Sequence, residues 1–173
     1  MSQTRITVKG LAQLRRKLTP ELVGEPLRVF FEKSTRKMQE RAKRNAPVDT
    51  GRLRNHITQK VDGSRVPEWA WMGVDAPKGS TVWFQARAME FGTGRRGDPA
   101  VSHKSGHFPP GPALDVWARR HGFESGWQVA KAIAKRGGLA PRRYLRDALQ
   151  QSMSDIRRFA TQMGNEIQRR FGR

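Results

Sequence analysis

Mostly apolar residues recur every three or four positions along two long segments of the chain. Each of these stripes predicts a long helix. The second stripe follows a break at Leu139-Ala140-Pro141, so its helix should begin at Pro141 or Arg142. The first stripe lies between about Pro20 and Asn45 and has basic residues on its other faces. In chain order the two stripes are Leu27, Phe31, Ser34, Met38, Ala42, Ala46 and then Leu145, Leu149, Met153, Ile156, Ala160, Met163, Ile167, Phe171.

Short alternating stretches predict strands. One lies near the start of the sequence, at Thr4–Lys9, and a short helix with one apolar face should follow it at Leu11–Leu18. Two more, His56–Val61 and Trp69–Val74, flank turn-forming residues and predict an antiparallel hairpin.

The hairpin carries two tryptophans at alternate positions, Trp69 and Trp71, which therefore share one face of the sheet. We expect both to pack in the core rather than to stack on nucleic-acid bases, because no RNA-binding signature accompanies them. The turn between the strands is predicted at Asp62-Gly63-Ser64.

The second half of the chain is less regular. Thr81–Phe91 is compatible with either a strand or a short helix, and glycines end it. Gly94–Pro112 is rich in Gly, Pro, Ser and basic residues and predicts an exposed loop. Residues 113–138 predict an inserted pair of helices with these side chains inward: Leu114, Trp117, Trp127, Ala130 and Ala134.

These elements predict one α+β domain over residues 1–173, in which a small antiparallel sheet packs with long amphipathic helices. The hinge between the first long helix and the sheet lies at Arg41–Ile57, RAKRNAPVDTGRLRNHI. Pro47 cannot continue a helix, and Asp49-Thr50-Gly51 is typical of a tight turn.

Charge narrows the possible functions. The chain has 34 Lys and Arg against 15 Asp and Glu, a net charge of +19. A field of this sign attracts polyanions, and nucleic acid is the obvious one. The chain has no cysteine, which excludes disulfides, thiolate metal sites and a Cys nucleophile. We find no signal peptide and no apolar run of membrane-spanning length, and so expect no membrane partner.

No catalytic motif emerges, and we expect neither an enzyme nor a bound cofactor or metal. His103 and His107 have the spacing of two ligands on one helix face, but no acidic third ligand is nearby and the local sequence opposes a helix. Gly92-Thr93-Gly94 before Arg95-Arg96 lacks the Lys-Ser/Thr ending of a phosphate-binding loop.

Three segments in a fixed order resemble the head–tail joining and tail-completion proteins of tailed bacteriophages. They are NAPVDTGRLRNHI after a basic helix, MEFGTG after the hairpin, and PRRYLRDAL before the last helix. The resemblance extends from about Ile6 to Leu149 and depends on the combination, since either of the first two motifs alone is weak.

The resemblance implies a structural α+β subunit of a neck ring, which completes the tail and joins it to the head around the DNA channel. It implies as partners further copies of the chain, in a ring expected to be a hexamer, other neck, portal-side and tail-tube proteins, and genomic DNA. It also implies a location in the virion neck, after assembly in the host cytoplasm. The residues expected to carry assembly are Pro47, Asp49, Thr50, Gly51, Arg52, Leu53, Glu90, Phe91, Gly92 and Thr93.

Five basic residues are the candidates for facing the DNA channel or a neighbouring subunit, namely Arg95, Arg96, Lys104, Arg142 and Arg143. Other functions stay open. The chain could be a tail terminator, a close variant of the joining role. Its charge also fits a non-specific nucleic-acid-binding protein, and His with basic residues gives weaker support to a small nuclease or toxin.

Overall fold

The structure is a computed structural model that describes residues 19–101 and 108–172. The predicted strand at Thr4–Lys9 and the predicted helix at Leu11–Leu18 lie outside this part of the chain.

The fold class is α+β, as predicted, with helices dominating and one two-stranded sheet in the described residues. The helices include a long one after residue 19, α1, and a long last one, α6. In chain order the elements are α1 (Pro20–Asn45), α2 (Arg52–Asn55), β1 (Ile57–Val61), β2 (Ala70–Val74), α3 (Thr81–Phe91), α4 (Asp115–Arg120), α5 (Gly126–Lys135) and α6 (Tyr144–Phe171), with short 3₁₀ turns at Gly94–Arg96 and Gly111–Leu114.

The first long helix has the predicted bounds. Pro20 occupies its first position, where the missing N–H costs nothing because it would have no partner in the helix. The backbone carbonyl of Thr19 accepts from the N–H of Leu22 and of Val23 and closes the first turn. The ambiguous Thr81–Phe91 segment is a helix, α3, which begins at Ser80, whose hydroxyl accepts from the N–H of Trp83 at 3.2 Å.

The hairpin pairs β1 with β2, one residue shorter at the start of each strand than the sequence predicted. The expected turn at Asp62 exists: its carboxylate accepts from the hydroxyl and the N–H of Ser64 and from the N–H of Glu68. These bonds, above all the hydroxyl of Ser64, lower the pKa of Asp62.

The prediction that Trp69 and Trp71 lie in the core is wrong. Their side chains are 52% and 39% exposed. For Trp71 the alternation of β2 explains this, because Met72 and Val74 pack against the core and the side chain of Trp71 therefore points away from it, whereas Trp69 precedes the strand. On the outer face, the Nζ of Lys60 lies 5.8 Å from the ring centroid of Trp71.

The chain divides into two compact units, each made of discontinuous segments. We call Met1–Lys37, Gln59–Trp71 and Met153–Arg173 the terminal unit, and Met38–Thr58 with Met72–Ser152 the central unit. The first and last long helices and the hairpin each contribute residues to both.

In the terminal unit, the first turns of α1 pack against the loop of the hairpin. The guanidinium of Arg28 donates to the carbonyl oxygens of Asp62 at 3.3 Å and Ser64 at 2.6 Å. A Cβ added to Gly24 would lie 2.3 Å from the carbonyl oxygen of Arg65, so only glycine allows this approach.

Ion pairs also join α1 to the end of α6 within the terminal unit. Arg170 donates to Glu25 and to Glu166, each at 2.7 Å. Hydrogen bonds from Arg169 and Arg170 lower the pKa of Glu166 to about 2.

The hydrophobic core of the central unit has large side chains from three places in the chain. Leu53, Ile57 and Tyr144 are its largest fully buried members, and burying each contributes roughly 1.5–3 kcal/mol. The long helices contribute small side chains to the same cluster, chiefly Ala42 and Ala148, which leave room for the three large ones.

The inserted helical pair exists as α4 and α5, but the prediction of its inward side chains is partly wrong. Trp117 and Trp127 are exposed, whereas Ala130 is fully buried as predicted and Ala118, which was not among the predicted inward residues, is also fully buried. The backbones approach closely here, since a Cβ on Gly126 would lie 2.0 Å from the carbonyl oxygen of Gly111. The ring of Trp127 covers Gly111, where an added Cβ would lie 2.3 Å from it.

In the first half of the last helix, the buried face lies one residue before the predicted stripe. Leu149 and Met153 are exposed, whereas Tyr144, Ala148 and Ser152 are buried. Ser152 is accommodated there because its hydroxyl donates to the carbonyl of Ala148 at 2.7 Å.

Of the segment predicted as an exposed loop, residues 102–107 lie outside the described part of the chain, together with His103, Lys104 and His107. At its two ends, Gly94, Pro109 and Gly111 are buried.

The tight contact at Gly24 predicts opposite effects of one substitution at two helical glycines of the terminal unit. Gly24→Ala should destabilise the protein by about 1–3 kcal/mol, because the added methyl meets a backbone carbonyl. Gly164→Ala should stabilise it by about 0.5–1 kcal/mol, since a Cβ there would meet nothing within 4 Å. Urea unfolding followed by circular dichroism measures both. Equal changes at the two positions would contradict the packing of Gly24 on the hairpin loop.

Candidate functional site

The two later motif segments are joined to each other in the central unit. Met89–Asp98 and Gly137–Arg146 pair through backbone hydrogen bonds, and we call the two segments together the interlock. The N–H of Thr93 donates to Leu139 at 2.9 Å, and that of Arg95 donates to Gly137 at 2.8 Å. Further along, the N–H of Arg142 donates to Met89 at 2.7 Å. The MEFGTG and PRRYLRDAL motifs therefore form one substructure.

Glu90 is the centre of the interlock. Its side chain is only 5% exposed. One carboxylate oxygen accepts from the N–H of Leu145 at 2.8 Å and the other from that of Arg146 at 3.1 Å. These are the second and third residues of α6, whose N–H groups have no partner inside the helix. Glu90 thus caps the last helix from 55 residues away and places a negative charge at the positive end of its dipole.

Tyr144 lies beside this cap as the first residue of α6 and is fully buried. Burial raises its pKa, and the nearby Glu90 carboxylate raises it further. Tyr144 therefore stays neutral and serves the core as a packing group.

Thr93 and two glycines close the other end of the interlock. The hydroxyl of Thr93 accepts from the N–H of Leu139 at 3.0 Å. Gly92 and Gly138 have φ angles of 71° and 118°. A Cβ on Gly138 would lie 1.9 Å from the carbonyl oxygen of Thr93, and one on Gly92 would lie 2.5 Å from that of Leu139. Both positions need glycine for conformation and for space.

An ion pair ties α6 to the end of the MEFGTG segment. Arg146 donates to the carboxylate of Asp98 at 2.8 Å. The pKa of Asp98 is lowered mainly by the N–H of Ala100, then by Arg146, with a smaller electrostatic contribution from Arg143. The N–H of Asp98 in turn donates to the carbonyl of Phe91 at 2.6 Å.

The first motif, PVDTG, forms the predicted turn and presents Leu53 to the same core. Gly51 has a φ angle of 76°, and its carbonyl accepts from the N–H of Asn55 at 2.9 Å. Asp49 and Thr50 are exposed, and Asp49 lies 3.6 Å from Arg120. Leu53, only 2% exposed, packs in the cluster that contains Tyr144. Pro47 is half-buried and Arg52 is exposed.

The interlock carries four of the five basic candidates, with Arg95 paired to Gly137 at one end and Arg142 paired to Met89 at the other. Arg95 and Arg96 lie on one of its segments, Arg142 and Arg143 lie on the other, and all four are exposed. The fifth, Lys104, is outside the described residues. Sequence reasoning missed a further arginine, Arg136, which is exposed directly before Gly137. Its position at the predicted helix end before Gly137-Gly138 was the available signal.

The described residues contain no cluster of three or more His, Asp or Glu side chains arranged to hold a metal ion. None of the helices in that part combines the length and the apolarity that a membrane span requires. What the arrangement can do chemically is attract anions through exposed guanidinium groups.

The buried cap predicts a cost for a nearly isosteric change. Glu90→Gln should destabilise the protein by about 1–3 kcal/mol, because an amide has only one acceptor oxygen and leaves a buried N–H without a partner. The matched control is Glu40→Gln on the exposed face of α1, expected within about 0.5 kcal/mol of the parent. Urea unfolding measures both, and equal stabilities would show that Glu90 does not cap the helix.

No protein-family model, curated protein or solved structure matches this chain. The resemblance to the phage proteins therefore rests on the three motifs and on the geometry of the central unit.

Proposed function

We propose that this chain is a structural protein of a tailed-phage virion, which completes the tail and joins it to the head as part of a neck ring around the DNA channel. The proposal assigns it no enzymatic activity. Its partners are further copies of itself in a ring of six, other neck, portal-side and tail-tube proteins, and the genomic DNA in the channel. It would act in the virion, after assembly in the host cytoplasm.

The observation that carries the proposal is the interlock. The resemblance depended on motifs that are weak when taken singly and that lie far apart in the sequence. In the central unit MEFGTG and PRRYLRDAL bind each other directly through the Glu90 cap, and Leu53 of the first motif packs with Tyr144 of the third. Motifs that meet in one folded substructure support the resemblance better than motifs scattered over a surface would.

The charge supports the same role. A net charge of +19 with exposed arginines suits a subunit that lines a DNA channel, where attraction to phosphates should be independent of sequence and weakened by salt. DNA must slide through such a channel, so base-specific contacts would be a disadvantage.

Exposed aromatic side chains on and beside the inserted helical pair support contacts with neighbouring proteins. Trp117 and Phe123 stack with a centroid distance of 6.0 Å, and Phe108 and Trp127 with one of 5.9 Å. All four side chains are at least 36% exposed. Aromatic residues are enriched at protein interfaces, and a head-to-tail contact between copies closes into a ring when the rotation allows.

Two other functions remain compatible with the structure. A tail terminator would use the same ring and the same charge. A non-specific nucleic-acid-binding protein is favoured by Trp69 and Trp71, which are exposed beside Lys60, because exposed aromatics among basic residues can stack on single-stranded bases.

The decisive experiment is electron microscopy of particles made when this gene alone is removed from its phage or prophage. We expect DNA-filled heads beside unattached tails, because the joint between them would be incomplete. Restoring the intact gene in trans should return joined, infectious particles and serves as the control.

Other particle morphologies separate the alternatives. Unattached tails of abnormal length would assign the terminator role instead. Normal, infectious particles would refute a virion role and leave the nucleic-acid-binding function as the better explanation.

A further inference from the structure

We propose that five arginines of the interlock, Arg95, Arg96, Arg136, Arg142 and Arg143, form a preorganised surface that binds the phosphate backbone of duplex DNA. We call this surface the arginine patch. The inference deepens the proposed function and rests on it only for the identity of the polyanion.

Backbone pairing fixes the two segments that carry the patch. The bonds from Arg95 to Gly137 and from Arg142 to Met89 hold these segments side by side and leave the arginines at the two ends of the interlock. A Cβ on Gly137 would lie 3.6 Å from the Cβ of Arg95 and 4.0 Å from its Cδ, so the stem of Arg95 passes over that glycine. The glycine next to Arg136 thus provides the surface on which Arg95 rests. Positions fixed in this way lose little conformational entropy on binding.

The guanidinium groups of the patch are available to bind an anion. Within the described ranges, none of the five forms an ion pair or a side-chain hydrogen bond, and all five residues are exposed. The acidic group closest to the patch in the chain, Asp98, is already engaged by Arg146 at 2.8 Å. Asp49 similarly lies against Arg120 and not against the patch. No ion pair within the described residues therefore neutralises the guanidinium groups of the patch.

The backbone conformation of Arg143 is the strongest single indication that the patch is a functional surface. This residue directly precedes Tyr144, and its carbonyl accepts the first intrahelical bond of α6, from Asp147 at 2.8 Å. It is thus the N-cap residue, a position favoured by Ser, Thr, Asp, Asn and Gly. Its φ of 52° is the only positive value for a non-glycine residue in the described part of the chain. Glycine or asparagine would adopt this conformation with less strain.

The structure explains how an arginine can occupy that position. Glu90 already supplies the capping carboxylate to the second and third residues of α6. The side chain of Arg143 is therefore not needed for capping, and within the described residues it forms no ion pair and makes only a small electrostatic contribution at Asp98. A strained residue whose side chain is not needed by the fold is typical of a functional position.

The chemistry of the patch fits phosphates better than bases. Its exposed groups are guanidinium forks, which match phosphate oxygens in geometry. The aromatic side chains of the interlock are not placed to stack, since Tyr144 is buried and Phe91 is half-buried. The expected interaction is with the backbone of a duplex, without sequence preference and with strong salt dependence.

The test measures binding of the full-length protein to a fluorescently labelled DNA duplex of about 20 base pairs by anisotropy over a range of salt concentrations. Each lost phosphate contact reduces the slope of log K against log salt by about 0.9. Arg143→Asn should therefore bind about tenfold more weakly at about 0.1 M salt, with a slope shallower by about 0.9. Arg142→Asn combined with Arg143→Asn should lose about twice that slope.

The matched control is Lys78→Asn, which removes the same charge from an exposed turn outside the interlock. Its slope should equal that of the wild type. The melting temperature of Arg143→Asn should be equal to or higher than that of the wild type, because asparagine suits both the cap and the left-handed backbone.

Three results would overturn the proposal. Arg143→Asn could match Lys78→Asn in affinity and slope, which would mean that the patch is not the binding surface. A lowered melting temperature of Arg143→Asn would mean that the arginine serves the fold. Displacement of the duplex by poly-glutamate at equal charge concentration would assign the patch to an acidic protein.

The two proposals fail separately. Normal particles after removal of the gene, together with the expected loss of slope, would reject the virion role and keep the patch. Heads and tails that stay apart, together with an unchanged slope in Arg143→Asn, would reject the patch and keep the virion role.

Discussion

The central unit depends on one buried carboxylate. Glu90 satisfies two N–H groups at the start of α6 that the helix itself cannot satisfy, inside a region where an unpaired donor would be costly. Once this bond forms, the first turn of α6 is fixed on the end of α3, and Tyr144 is directed into the core. The flanking backbone pairs of the interlock then follow from a geometry that is already set. A single charged side chain thus couples local helix capping to long-range topology.

Local chemistry allowed the sequence to predict those elements that depend on neighbouring residues. The bounds of α1 follow from Pro20 and from Pro47, and the Asp62 turn follows from side-chain bonds to adjacent backbone. The wrong predictions have a common origin. Large apolar residues such as Trp71, Trp117 and Leu149 were assigned to the core on hydrophobicity, whereas their chain neighbours Met72, Ala118 and Ala148 are the ones that pack in the interior. Periodicity identifies a buried face only when the partner of that face is known.

The candidate site was harder to predict, because its geometry depends on contacts 46 to 56 residues apart. Glu90 is one of several dispersed acidic residues in the sequence, and nothing local marks it as the cap of a distant helix. The motif resemblance did select it, together with Gly92 and Thr93, although as an assembly residue. In the structure these residues stabilise the central unit, and the arginines that they hold in place are the exposed ones. The requirement for glycine at Gly92 and Gly138 is likewise visible only once the opposing backbone is in position.

The discontinuity of the two units has a consequence for synthesis on the ribosome. The central unit takes residues from as early as Met38 and as late as Ser152, and its core is incomplete until Tyr144 and Ala148 have emerged. Until then Glu90 has no helix to cap, and Leu53 and Ile57 have no tyrosine to pack against. Vectorial folding from the first residue onward is therefore impossible for this unit. A chain this basic therefore leaves the ribosome with its central core still open, and that core closes only after the last helix has begun to emerge.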